Sequence, residues 1–171
     1  MPGTPRLLKE IADIMAATVV ETFNGMFEQS VVTASVGRFG QSEAAGKTSA
    51  CLVLKNANGV PAKLYFTFDD QMLALTARSF FAAELSDDPV IRSDIACAVA
   101  NIVGTKVKNC LNGYGNAFEM TFPFVVPPTD IEPGRDAVHL HFAYNDRDGR
   151  VSDGGVIVNF MMKEQQSAGR C

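Results

Sequence analysis

The sequence feature that most constrains the fold is a turn signal between two strand-like segments. Asn58-Gly59, a residue pair typical of tight hairpin turns, lies between "ACLVLKN" and "AKLYFTFD". The second segment alternates polar and apolar side chains, as a strand with one buried face does. The sequence therefore predicts a β-hairpin, and with it an antiparallel sheet whose apolar face another layer must cover.

Three segments predict the helices of that layer. Thr4-Pro5 is a helix start, and the first helix is expected over residues 5 to 28. Asp69 can cap a second helix in "DQMLALTARSFFAAEL", and "SDDP" separates it from a third that contains "SDIACAVANIVGTKVKNC". Further strands are expected in "SVVTASVG", "GNAFEMTFPFVV", "AVHLHFAYND" and "GGVIVNFMM". We expect an α+β fold, with the helices packed on one face of a mainly antiparallel sheet.

Composition narrows the class of protein. A chain of 171 residues that is 47% hydrophobic predicts one domain, expected over residues 1–163, with residues 164–171 as a disordered tail. A net charge of −4 with scattered basic residues argues against nucleic acid as a partner. No apolar run is long enough to span a membrane, and "MPGTPRLLKE" lacks the layout of an export signal, so we expect a cytoplasmic protein.

Two familiar kinds of site are disfavoured by spacing. Gly40 and Gly46 enclose five residues where a phosphate-binding loop needs four, and a strand pattern follows instead of a helix. His139 and His141 alternate onto one strand face, but nothing nearby supplies a clear third metal ligand. The sequence therefore predicts neither a metal site nor a cofactor.

A polar stripe on the third helix is the most informative candidate site. With 3.6 residues per turn, Ile95 and Val99 face the core, while Asp94, Ala98 and Asn101 lie on the opposite side. A solvated helix face usually carries Glu, Lys or Gln, so a small apolar residue between an acid and an amide is unusual. This unusual composition indicates that the stripe is a candidate functional site.

The order of these residues resembles a known signature. Asp94-x3-Ala98-x2-Asn101, followed by Pro123, is similar to the motif of the CheX-like and CheC-like chemotaxis phosphatases. In that family the four positions are Asp or Ser, Glu, Asn and Pro, so three of four match and Ala98 replaces the Glu. The predicted order of elements over residues 5 to 163 is also similar to the family's.

The resemblance implies a function and a partner. The substrate would be the phospho-aspartate of a CheY-type response regulator receiver domain, whose magnesium belongs to the receiver. Asn101 would be the catalytic residue, orienting the attacking water, while the Glu of the family pairs with a receiver lysine. Asp94, Ala98 and Pro123 would contribute to the substrate-binding surface. The resemblance also implies a homodimer.

Several alternatives remain open at this point. Ala98 is compatible with a weakened phosphatase, or with a catalytically silent module that binds a receiver domain or dimerises. An unrelated α+β protein that binds a small ligand is a further interpretation. Glu21 and Asn24 repeat the spacing of acid and amide on the first helix, as a comparable pair does in CheC-like members, and form a possible second site. A solvated helix face is the simpler interpretation of that pair.

Overall fold

A computed structural model of the chain describes residues 5–33, 47–57, 59, 61–131, 137–146 and 148–162. Three α-helices lie in these ranges: α1 (Pro5–Glu21), α2 (Asp70–Ala77) and α3 (Pro89–Gly113). The strands are β1 (Val31–Thr33), β2 (Thr48–Lys55), β3 (Pro61–Phe68), β4 (Glu119–Met120), β5 (Phe124–Val126), β6 (Ala137–Asn145) and β7 (Val151–Met162).

The strands form one seven-stranded sheet in the order β1-β6-β7-β3-β2-β4, with β5 also paired to β2. Every pairing in it is antiparallel. The hairpin of β2 and β3 runs in register from Thr48 opposite Phe68 to Lys55 opposite Pro61. The predicted hairpin and the predicted α+β fold class are both confirmed.

The main core lies between the sheet and the two long helices. Alternate side chains of β2 and β3 are buried in it, because successive residues of a strand point to opposite faces. These residues are Ala50, Leu52, Leu54, Ala62, Leu64, Phe66 and Phe68. The residues between them face the other side of the sheet, where Cys51 and Tyr65 pack with Val126 and Ile131. The helices therefore cover one face, as the sequence predicted.

The first helix differs from the prediction at its end. It was expected to continue to residue 28, but α1 ends at Glu21 and the chain continues as a π-helical turn over Thr22–Met26. The side-chain oxygen of Asn24 accepts a 2.9 Å hydrogen bond from the backbone N–H of Val31. This bond connects the π turn to the start of β1. Helical periodicity could not predict it, because the two residues are seven positions apart and only one of them lies in a helix.

The second helix is shorter than predicted. It ends at Ala77, because the residues that follow make tertiary contacts instead of continuing the helix. The ring of Phe80 packs edge-on against Phe27 at a centroid distance of 5.6 Å. The hydroxyl of Ser79 donates a 3.0 Å hydrogen bond to the carbonyl of Phe27. These contacts hold the segment after α2 against Phe27, the residue that follows the π turn. A short 3-10 turn, Ala83–Leu85, comes next.

The single strand expected in "GNAFEMTFPFVV" is divided in two. Both β4 and β5 pair with β2, but Thr121–Pro123 interrupts the ladder between them. Thr121 still bonds to β2, since its N–H donates to the carbonyl of Val53 and its hydroxyl accepts from the N–H of Val53.

The expected loop "QSEAAGKTS" up to residue 46, and the expected tail at 164–171, lie outside the described residues. Among those residues, no helix is both long and apolar enough to cross a membrane.

Close contact between α3 and β2 fixes how the third helix is oriented. Gly104 is buried, and a Cβ atom added there would lie 2.8 Å from Cδ1 of Leu52 and 3.3 Å from Sδ of Met120. Both distances are too short for an unstrained contact. A larger residue at this position would therefore force the side chains of Leu52 and Met120 to shift.

We expect Gly104→Val to lower the free energy of unfolding by about 1–3 kcal/mol, because added methyl groups would overpack the contact with Leu52. Urea unfolding followed by circular dichroism measures the change. Gly113→Val is the matched control, since a Cβ there meets nothing within 4 Å. Equal stability of the two variants would contradict the close contact.

We expect Asn24→Ala to lower the free energy of unfolding by about 0.5–1.5 kcal/mol, because it removes the part-buried hydrogen bond from the N–H of Val31. The same urea titration measures this. Asn109→Ala, which truncates an exposed amide on α3, serves as the control. A loss no larger than that of the control would show that the π turn does not depend on Asn24.

Candidate functional site

The candidate site lies on the solvent-facing side of α3. The helix begins cleanly, with the carboxylate of Asp88 accepting a 2.8 Å hydrogen bond from the N–H of Val90 and Pro89 at the first helical position. The buried side of α3 consists of Ile95, Ala96, Val99, Ala100, Val103, Gly104, Val107 and Leu111. This packing fixes the opposite side as the exposed one.

The predicted polar stripe is exposed. Asp94, Ala98 and Asn101 are all exposed, and Thr105 and Lys108 continue the stripe as half-buried residues. The spacing of three or four residues places neighbouring members of the stripe side by side. The structure therefore brings together the three α3 residues that the sequence predicted for one surface.

Asn101 presents a free amide to solvent. Its backbone carbonyl accepts a 2.8 Å hydrogen bond from the hydroxyl of Thr105, one turn later. Across the described ranges, the side-chain amide itself has no hydrogen-bond partner. An amide offers both a donor and an acceptor, so Asn101 can bind a water molecule or a phosphoryl oxygen of an incoming partner.

Cys97 lies beside the stripe but is a poor nucleophile. Burial first, and then the negative charge of Asp94, raise the pKa of its thiol. A raised pKa keeps the thiol protonated at neutral pH, and the thiolate is the reactive form. Covalent chemistry through Cys97 is therefore disfavoured, and Asn101 is the better candidate for the chemistry of this face.

Pro123 lies in the connection between β4 and β5, two strands that contact α3. The preceding Met120 lies next to Gly104, while the following Val125 lines a shallow cavity together with Arg92 and Ser93. Pro123 itself is half-buried there.

Phe122 lies in the same connection and could be functional, although no sequence motif pointed to it. It is 92% exposed, which is unusual for a phenylalanine. The run "TFPF" contained the signal, because a proline in a strand pattern indicates a break in the ladder. At such a break an aromatic side chain can leave the core.

The two residues of the possible second site differ in their surroundings. Glu21 is the last residue of α1, is exposed, and its carboxylate has no ion-pair partner in the described part of the chain. The side-chain oxygen of Asn24 accepts the bond from Val31 and so has a structural role. A second site at this pair stays a prediction, but its amide is already engaged.

At the other end of the two long helices, three side chains meet. The hydroxyl of Tyr114 donates to Oε2 of Glu10, and Sγ of Cys110 lies 3.7 Å from Oε1 of the same carboxylate. These contacts join the first half of α1 to the end of α3. Within the residues described, no three His, Cys, Asp or Glu side chains cluster in a way that could hold a metal ion.

Comparison with known proteins identifies the fold. No protein-family model and no curated protein matches this chain. The fold is similar to that of CheX from Vibrio vulnificus, with 16% sequence identity and a TM-score of 0.63 over 90% of this chain and 97% of that chain. It is also similar to a CheC-like chemotactic protein of Shewanella oneidensis, with 15% identity and a TM-score of 0.66 over 94% of this chain and 100% of that chain. A third similar structure is the CheX–CheY complex of Borrelia burgdorferi with BeF3 and magnesium, with 16% identity and a TM-score of 0.65 over 92% of this chain and 98% of that chain.

These likenesses extend over nearly the whole length of both chains, so they concern the complete arrangement of sheet and helices. The Asp94, Ala98 and Asn101 stripe lies on the exposed side of a long helix in that arrangement. The resemblance inferred from the sequence is confirmed at the level of structure: this chain has the CheX/CheC-like fold.

Proposed function

We propose that this protein binds a phosphorylated response regulator receiver domain through the exposed face of α3 and dephosphorylates its phospho-aspartate. The observation that carries the proposal is the free, exposed amide of Asn101 on a CheX/CheC-like scaffold. One similar structure is itself a complex of CheX with CheY, which supports a receiver as the partner. The proposal places the protein in the cytoplasm, where receiver domains are phosphorylated.

The proposed reaction requires few catalytic groups from this chain. A water molecule attacks phosphorus, the bond between phosphorus and the aspartyl oxygen breaks, and inorganic phosphate and the free carboxylate are released. The receiver brings the magnesium that balances the charge of the phosphoryl group. Phosphoryl transfer depends mainly on positioning and charge stabilisation, so an amide that holds the water in line contributes directly.

We expect Ala98 to lower the rate of the proposed dephosphorylation. The family's Glu would make a charge-assisted contact to a receiver lysine, and loss of such a contact costs about 1.5–3 kcal/mol, or roughly ten- to a hundredfold in rate. The alternative function is therefore a catalytically silent module that binds a receiver without shortening the lifetime of its phosphate. Ala98 favours that alternative because a small apolar residue suits packing better than capture of a lysine.

We expect the wild-type protein to accelerate loss of phosphate from a receiver domain of the same cell, and Asn101→Ala to abolish the acceleration. Phosphate release from a receiver charged with a small phosphodonor measures both. Asn109→Ala, another exposed amide on α3, is the matched control and should retain activity. Binding of the receiver without any acceleration would support the silent module instead.

We further propose that the protein forms a homodimer through the edge of the sheet at β4 and β5. An open strand edge favours pairing with another strand, and this one carries exposed apolar side chains: Phe122 is 92%, Phe124 47% and Val125 48% exposed. A two-fold axis lets the same edge serve both partners.

We expect Phe122→Ser to weaken the dimer by about tenfold or more, because burial of a phenylalanine contributes about 1.5–3 kcal/mol. Sedimentation equilibrium measures the dissociation constant. Val151→Ser removes a similarly exposed apolar side chain at the start of β7 and should leave association unchanged. A monomeric wild-type protein would contradict the proposed dimer.

A further inference from the structure

We propose that Lys108 contacts the phosphoryl group of the receiver, so that this face of α3 distinguishes a phosphorylated receiver from an unphosphorylated one. The surface then offers two groups to the phosphoryl oxygens, the amide of Asn101 and the ammonium of Lys108. This inference rests on the proposed function and names a specificity-determining residue for the same site.

Lys108 lies on the same side of α3 as Asn101. It follows Asn101 by seven residues, which is about two turns of an α-helix and about 10 Å along its axis. Asp94 precedes Asn101 by the same number of residues. The stripe therefore has an anionic end and a cationic end, with Asn101 midway between them.

The tilt of helical side chains favours Lys108 over Asp94 as the neighbour of Asn101. In an α-helix the bonds from Cα to Cβ point toward the amino terminus, so a long side chain covers the turn that precedes its own Cα atom. Helix geometry thus directs Lys108 toward Asn101 and directs Asp94 away from it. The flexible stem of a lysine lets its ammonium cover much of the remaining distance.

The ammonium of Lys108 is available to a ligand. Lys108 is half-buried, and a lysine in such a position packs its stem against the protein while its charged end stays in water. Among the described residues, no carboxylate pairs with it. Thr105 lies between Lys108 and Asn101, but its hydroxyl proton is already donated to the carbonyl of Asn101. Asn101 and Lys108 are therefore the donors that this part of the stripe offers.

A phosphorylated receiver site has the charge that fits a cation beside an amide. A phosphoryl group carries about two negative charges near pH 7. Magnesium is held by oxygen ligands that usually include carboxylates, and these offset the charge of the ion. Phosphorylation therefore adds negative charge at the point where Lys108 can meet it. Ala98 strengthens the attraction, because an acid in its place would put a negative charge close to Asn101 and repel the phosphoryl group.

The test compares how Lys108→Gln and the wild-type protein bind a receiver domain of the same cell, with and without beryllofluoride and magnesium. We expect Lys108→Gln to weaken binding of the activated receiver roughly three- to tenfold, between the effects of an exposed ion pair and of a charge-assisted hydrogen bond. Binding of the unactivated receiver should stay unchanged, because it lacks the group that Lys108 contacts. Isothermal titration calorimetry measures both dissociation constants.

Lys106→Gln is the matched control. Lys106 is exposed on the same helix, and no carboxylate in the described part of the chain pairs with it. It follows Asn101 by five residues and so projects about 140° away from it around the helix. Lys106→Gln should leave both dissociation constants unchanged, and Lys108→Arg, which keeps the charge, should bind like wild type.

Equal weakening by Lys106→Gln and Lys108→Gln would overturn the inference, because it would show a general attraction to positive charge. Equal weakening of both receiver forms by Lys108→Gln would overturn it too. If Lys108→Gln binds the activated receiver like wild type while Asn101→Ala abolishes the acceleration of dephosphorylation, the inference is wrong and the proposed phosphatase stands. If wild type binds neither form of the receiver, the proposed function fails, and the inference with it.

Discussion

The contact of α3 with β2 is the constraint on which the rest of the structure depends. Gly104 allows the helix to lie so close to Leu52 that an added Cβ atom would force the side chain of Leu52 to move. A helix held this closely by one side has its opposite side fixed as well, and that side carries Asp94, Ala98 and Asn101. The orientation of the candidate site is thus a consequence of core packing. The exposed residues themselves contribute little to that orientation.

The second consequence of this packing is a contact between the two long helices. With α3 packed over β2, α1 lies beside it and is joined to it through the contacts of Glu10 with Cys110 and Tyr114. Cys110 follows Asn101 by nine residues, which is about two and a half turns, so the amide of Asn101 lies on the side of α3 opposite this contact. That side is left open to a partner.

Much of the fold could be predicted from local patterns, because hairpin turns, strand alternation and helix caps depend on residues close in sequence. The hairpin around Gly59 and the buried side of α3 are examples. The early end of α2 could not be predicted, since it follows from the contact of Phe80 with the distant Phe27. At the site, helical periodicity was enough to predict the stripe on α3, whereas the hydrogen bond of Asn24 to Val31 depends on the tertiary arrangement.

The most direct test of the account is to map the receiver's docking surface on this protein by nuclear magnetic resonance. Backbone amide shifts would be followed while a receiver domain, activated with beryllofluoride and magnesium, is added to the isotope-labelled protein. We predict that the largest changes fall on the exposed side of α3 between Asp94 and Lys108. Changes confined to the β4–β5 edge, or none at a saturating receiver concentration, would contradict it.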